Sequence, residues 1–289
     1  MNALIGQGYA FQTFTEFLER PELKSIMLRH DVEAKYENAL AFAQIQHDYR
    51  VRGTYYFRFL PSHFSLEIIQ QIASLGHEIG YHYDDLSYCK GDYTAAIKRF
   101  EKHLAMLREI APVKTICMEG APLSRYDNRD LWRTEDGRKP QAASCKPQAA
   151  SCKPHYRDYG IIGEPYFDID FSKILYLTDT GRRWDGGRYS VRDKVGQLDS
   201  RQSAVGNPNS KSKIPNPKQT QNSKFKIQNL LFHSTPDIVK AANTGLLPDQ
   251  ILFTFHPQRW NDRPIPWVSE LLLQNVKNVV KRWIVKREQ

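Results

Sequence analysis

Two short stretches carry side chains that bind metals and move protons. They are Arg29-His30-Asp31-Val32-Glu33 and Gly76-His77-Glu78-Ile79-Gly80-Tyr81-His82-Tyr83-Asp84-Asp85. The first follows the apolar run Ile26-Met27-Leu28, and the second follows a helix-like segment that stops at Gly76. A third point is Phe253-Thr254-Phe255-His256-Pro257. Each puts His or Asp at the far end of an expected strand, where an α/β barrel collects metal ligands and acid/base groups. One strand-end histidine is ordinarily a hydrogen-bonded structural residue; the repetition at three strand ends is what points to a site. A metal hydrolase needs two or three fixed ligands, an open coordination position, a general base and a general acid. Asp31 and His82 suit a divalent metal. Asp85, three residues after His82, could face the same ion from a turn, with Asp84 as the alternate. His30 is the expected base, since an unperturbed imidazole titrates near 6.5. Glu33 would orient His30 or ligate the metal, and His256 would protonate the leaving group from the opposite side.

Two loops are expected at the rim of such a site. Met118-Glu119-Gly120-Ala121-Pro122-Leu123 directly follows a strand, and Gly120 and Pro122 would bring backbone close to a ligand. Asp179-Thr180-Gly181-Arg182-Arg183-Trp184 combines a turn with charges and an indole. It reads either as a sugar-binding loop, with Trp184 stacking on a ring and Arg183 gripping an anion, or as an ion-paired turn. His77 starts its strand and reads as structural. His47, His63, His103 and His155 have no partner pattern and read as solvated.

The elements that position these residues alternate. Helix-like 34–49 leads to strand-like 53–59. Helix-like 66–75 begins after Ser65, a good N-cap, and stops at Gly76. Strand-like 77–82, helix-like 94–110 and strand-like 113–118 follow. Strands are expected at 161–171, 174–177 and 251–255, a short helix at 237–243 and a closing helix at 268–285. Alternation of short apolar strands with helices argues for a parallel α/β architecture. About seven strands favours a closed or nearly closed barrel. No glycine-rich phosphate-binding pattern occurs, so nucleotide binding has no support.

The 289 residues, 40% hydrophobic and 12% aromatic, can bury one barrel-sized core. No apolar run reaches about 18 residues, so no membrane span is expected. The first residues lack a basic region followed by an apolar block, so a cytoplasmic protein is the expectation. The net charge of +9 sits in two segments, +4 within 133–157 and +6 within 194–229, leaving the rest near −1. Flexible solvated loops explain this better than nucleic-acid binding. The first segment contains a tandem heptad, Lys139 to Cys145 repeated as Lys146 to Cys152. Two copies of seven residues cannot stack into a core, so they read as a tolerated surface insertion. One domain over 1–289 is expected, with low-complexity insertions at about 134–155 and 196–229. Cys89, Cys117, Cys145 and Cys152 form no CxxC and read as four thiols in a reducing compartment.

In this order, the motifs resemble the polysaccharide deacetylase family, the NodB-homology group of metal-dependent carbohydrate esterases. Gly-His-Glu-Ile-Gly-x-His at 76–82 is the most specific. Arg-His-Asp-Val-Glu at 29–33, Tyr-His-Tyr-Asp-Asp-Leu at 81–86 and His256-Pro257-Gln258-Arg259-Trp260 match a divergent branch. The resemblance implies a distorted (β/α) barrel of about seven parallel strands. It implies removal of acetyl groups from a saccharide, in the biosynthesis of a surface glycan, with zinc, nickel or cobalt as cofactor. It implies Asp31, His82 and Asp85 as metal ligands, His30 and His256 as catalytic groups, and Pro122, Asp179, Arg183 and Trp184 as substrate-binding residues. The chain departs from the pattern in three ways, one of them at the third motif, which usually supplies Arg and an aromatic after Pro, whereas here Glu119 precedes Gly120-Ala121-Pro122 and Leu123 follows. The family's first motif usually carries two consecutive Asp residues, the first as base, and here His30 stands in that place. Its second histidine ligand falls at Leu86, which cannot bind metal. A catalytically inactive glycan-binding protein on the same scaffold is the alternative.

Overall fold

The computed structural model describes residues 1–60, 64–133, 154–180, 184, 230, 232–260, 263–265, 267–269 and 271. In chain order the elements are α1 (Asn2–Gly6), β1 (Ala10–Gln12), α2 (Phe14–Glu19), β2 (Ser25–Val32), α3 (Tyr36–Asp48), β3 (Thr54–Phe57), α4 (Leu66–Ser74) and β4 (Glu78–Tyr83). They continue with α5 (Asp85–Tyr88), α6 (Tyr93–Arg108), β5 (Ile116–Met118), α7 (Pro165–Asp168), β6 (Leu175–Thr178), α8 (Thr235–Asn243) and β7 (Gln250–Phe255). The seven strands form one parallel sheet in the order β5-β4-β3-β2-β7-β6, with β1 paired to the start of β2. The sheet curls into a half-barrel with α3, α4, α6 and α8 on its convex side and α2 packed against the concave core, the distorted α/β barrel expected from the motifs.

Side chains alternate between the two faces of a strand, and that alternation sorts the site. On β2, Ile26, Leu28 and Val32 enter the convex core under the helices, whereas Met27 enters the concave core with Phe14, Tyr56, Cys117, Tyr176 and Leu252. By the same parity His30 belongs to the convex set, and Arg29 and Asp31 to the concave set. On β4, Ile79, Tyr81 and Tyr83 are convex, which leaves Gly80 and His82 concave. A Cβ at Gly80 would overlap the Tyr56 ring, so the strands approach there only because the residue is glycine. Ser65 caps α4 through Ile68 N–H, and Gly76 leaves it at φ +88, as expected from their types.

Some element expectations need correction. The strand expected at 161–171 is absent. Glu164 accepts from Tyr166 and Phe167 N–H, Pro165 sits at the first turn, and the chain forms α7 instead. Only the bridge Thr115–Gly163 keeps strand character there. The strand β1, three residues long, was too short to register as a pattern. His103 is not solvated: Tyr81 Oη lies 2.9 Å from its Nδ1 and Phe59 stacks on its ring. His155 is also buried and caps Arg157 N–H. Most of the expected helix 268–285, the tandem heptad and the segment 196–229 lie outside the described residues. No helix among the described residues is long and apolar enough to cross a membrane.

Candidate metal centre

Three strands deliver donors to one point on the concave rim. His82 of β4 is fully buried, and its Nδ1–H donates to Cys117 O at 3.0 Å. A carbonyl can only accept, so this bond fixes the tautomer and aims Nε2 into the concavity. Metal-bound histidines are held in the same way. Asp31 Oδ2 lies 4.0 Å from that nitrogen and Glu119 Oε2 lies 3.0 Å from it. Two sets of donor atoms lie within 4.8 Å of one another and share this imidazole: Asp31, His82 and Cys117, and Glu33, His82 and Glu119. Either set could hold a cation.

Charge at the site is tightly balanced. Arg29 Nε and Nη2 donate to the two oxygens of Asp31 at 2.8 and 2.7 Å. Burial alone would raise the Asp31 carboxyl, but Arg29 and then His82 hold it below the usual range. An ionised carboxylate offers about four lone-pair positions, so Asp31 keeps acceptor capacity beyond Arg29. Burial works against charge on His82 too, yet Asp31 and Glu119 push its pKa up to about 9. Burial also opposes charge on Glu119; His82 and Arg58 outweigh it and hold the carboxyl well below the usual range. Half-exposed Glu33 is raised, first by burial and then by the Glu119 charge. The donor set fits a divalent cation, which would replace the proton that otherwise sits among these carboxylates.

A second pair stands beside it. His256, just past β7, points Nδ1 at Asp179 Oδ1 at 2.5 Å, and its backbone N–H donates to Asp179 Oδ2. Trp260 Nε1–H donates to the same Oδ2 at 2.8 Å. Burial raises the Asp179 carboxyl, but His256 and Arg259 bring it down to about 2. His256 Nε2 faces Glu33 Oε1 at 3.8 Å, so Glu33 links this pair to the His82 donors.

Among the described residues of the expected set, the structure brings together Asp31, His82, His256 and Asp179 and leaves His30, Asp85 and Trp184 apart. His30 does not reach the site. Its ring stacks on Tyr55 (centroids 4.0 Å apart) and Phe255 on the convex side, with Nε2 on Gln46 and Nδ1 on Thr54 O. Burial drives its pKa down to about 3. Neighbours on a strand face opposite ways, so His30 and Asp31 cannot serve one ion. Asp85 sits off the site as well. It accepts from Tyr81 Oη at 2.8 Å and from Arg99 Nη1 at 2.6 Å, with His103 alongside. Asp84 is held by Arg58 and the same Arg99 atom. Leu86 packs into the convex core. Trp184 lies behind the sheet: Nε1–H donates to Thr235, and the ring lines an apolar cavity of about 350 Å³ with Phe42, Phe253 and Ile238. Asp179 is buried against His256 rather than open to a ligand. Pro122 is exposed on the rim loop after Glu119, whose Ala121 N–H is taken by Glu119 Oε1. Arg183 lies outside the described residues. Sequence reasoning met Glu119 only as a departure from the family motif and gave Glu33 only a shared role; both lie just past strand ends, which was the available signal.

The buried neutral His30 has a consequence for acid stability. Its folded pKa, about 3, lies below the unfolded value near 6.5, so the unfolded chain binds the extra proton first. Its contribution is present above about pH 6.5 and is lost as pH falls toward 3. Denaturant midpoints are expected to drop by the equivalent of a few kcal/mol over that window, and His30→Phe should flatten this part of the pH curve.

No protein-family model matches the chain. No curated protein matches it. Among solved structures, the fold is similar to a family 4 carbohydrate esterase from Bacillus anthracis at 13% identity and a TM-score of 0.30. The match covers 40% of this chain and 56% of that one, so the chain spans little more than half of the esterase's length.

Proposed function

We propose that this chain is a metal-dependent hydrolase that removes acetyl groups from a saccharide. The observation that carries the reading is the meeting at His82 of two donor groups, Asp31/His82/Cys117 and Glu33/His82/Glu119, with an Asp179–His256 pair that reaches them through Glu33. The deacetylase-like motifs that supply these residues support acetyl transfer to water over other hydrolyses. A divalent cation held by Asp31 and His82 would supply Lewis acidity toward a carbonyl oxygen. Zinc, nickel or cobalt is the expected identity. Glu33, whose proton affinity is raised and whose side chain is partly open, takes the proton of the attacking water in place of His30. His256, held at Nδ1 by Asp179, gives a proton from Nε2 to the departing amine or hydroxyl.

The test is acetate release from acetylated chito-oligosaccharides and O-acetylated glycans, with protein treated by chelator and then reloaded with each of the three metals. Release that disappears with chelator and returns with metal supports the reading. Saccharide binding with no release under any metal would replace it with a glycan-binding protein on the same scaffold.

A further inference from the structure

The apolar cavity of about 350 Å³ that Trp184 lines is a groove on the convex side of the sheet, between α3 and α8. Leu28 of β2 and Phe253 and Phe255 of β7 form its floor. It runs from the rim, where Trp260 stands just past β7, to the base, where Tyr49 ends α3 ahead of β3. Among the described residues no helix covers it. Its walls leave large side chains in water: Ile45 and Tyr49 beside α3 and Val239 of α8 are 54, 42 and 41% exposed. No charged side chain lines the groove, and its buried polar groups are already engaged. Gln46 is held by His30 and Tyr55, and Thr235 accepts from Trp184. A continuous apolar surface of this kind is a contact site, and it offers nothing to a charged ligand.

The chain itself supplies an occupant. In a (β/α) fold a strand hands the chain to a helix packed outside the sheet, and the segment after β7 starts at the mouth of the groove. Pro264, Ile265, Trp267, Val268, Ser269 and Leu271 are helical, with Trp267 N–H donating to Arg263 O at 3.0 Å. Residues 272–289 lie outside the described residues. In sequence, Ile265, Val268, Leu272, Val276, Val279 and Trp283 recur at helical spacing, and Glu270, Gln274, Lys277 and Lys281 fall opposite them. Ile265 and Val268, at the start of this stripe, are exposed. From Ile265 to Trp283 a helix spans about 28 Å, against about 20 Å for β7, so the segment is long enough to cover the groove from rim to base. We infer that the segment 264–285 docks in this groove as an amphipathic helix, with the apolar stripe on Ile45, Val239 and Phe253 and the basic face outward. A tethered helix outcompetes a free apolar molecule or a second copy through its high effective concentration. Its seat includes Trp260, whose ring packs edge-on against Phe42 at 5.5 Å while Nε1–H donates to Asp179, so the groove and the Asp179–His256 pair share one side chain.

The test is disulfide trapping in the full chain, with Cys89, Cys145 and Cys152 replaced by Ser. Ile45→Cys or Val239→Cys on the groove walls is combined with Leu272→Cys, Val276→Cys or Val279→Cys on the stripe, or with Gln274→Cys on the opposite face. At least one stripe position is expected to bridge within the chain about tenfold faster than Gln274→Cys, because a disulfide needs Cβ atoms within about 4.5 Å. A second measurement needs no new cysteine. Val279→Asp should speed tryptic cleavage after Lys277 and Lys281 by about tenfold or more, the effect of losing one buried valine, while Gln274→Asp leaves the rate unchanged. Far-UV circular dichroism checks that each variant is folded. Bridges that form equally fast from Gln274→Cys, or no bridges at all, overturn the inference. Bridges that form only between two chains overturn it and assign the groove to a second copy. No bridges, together with saturable uptake of a neutral apolar dye by the wild type, overturn it and assign the groove to a small apolar molecule.

Discussion

His256→Ala is expected to lower kcat for acetate release by about 10²–10⁴-fold while metal content stays at the wild-type level. The geometry sets the size of this effect. Asp179 is ionised across the working range, with its pKa near 2, and it grips Nδ1 and the backbone N–H of His256 together. Nδ1 is thereby committed, and Nε2 is the nitrogen left for a leaving group. Asp179→Asn keeps the volume but removes the anion that sets the tautomer. A loss of similar order is expected, with KM nearly unchanged, because neither residue belongs to the His82 donor set. Trp260→Phe removes one hydrogen bond to Asp179 and should cost much less. Turnover that survives His256→Ala on a substrate the wild type cleaves contradicts the acid role.

Arg99→Ala is expected to destabilise the fold by about 3–5 kcal/mol. Arg99 Nη1 lies 2.6 Å from both Asp84 and Asp85, and Asp85 has no exposure to water. Removing the guanidinium leaves two carboxylates beneath the loop that follows β4. Arg58 still holds Asp84, but Asp85 would keep only Tyr81 and His103. Burial already pushes the Asp85 pKa up to about 7 despite Arg99 and Tyr81, so without Arg99 the residue would take up a proton to stay buried. A chemical denaturation midpoint reads the loss. Asp85→Asn should keep wild-type metal content, because its side chain faces away from His82. Metal lost in Asp85→Asn would return Asp85 to the ligand set and contradict its structural role.

The alternation of strands and helices was legible because strand ends and helix caps leave local marks: Ser65 before α4, Gly76 after it, and apolar runs at each strand. Asp31, His82 and His256 were legible as polar residues at strand ends. What failed was parity. Arg29 and Asp31 share one side of β2, continued by Glu33 just past its end, and Ile26, Leu28, His30 and Val32 share the other, so the alternation that excludes His30 stood in the sequence but was outweighed by its adjacency to Asp31. Asp85 failed for another reason. The chain leaves β4 into α5, and the turn carries Asp85 to the convex side, where Arg99 from α6 waits; no local signal encodes a partner 14 residues away. Trp184 was assigned to the rim by its charged neighbours, whereas its indole is drawn into the apolar core of Phe253 and Phe255. Glu119 looked like a departure from the family motif, and its orientation depends on Asn128, Ala121 and Tyr83, contacts that only the folded chain brings together.

The most direct test of a metal centre at His82 is elemental analysis of the purified full chain, wild type beside Asp31→Ala and His82→Ala, each offered zinc, nickel, cobalt and manganese and then desalted. About one divalent ion per wild-type chain, lost in both variants while their far-UV circular dichroism is unchanged, is the expected result. A folded wild type that retains none of the four metals, or variants that retain as much as the wild type, would contradict it.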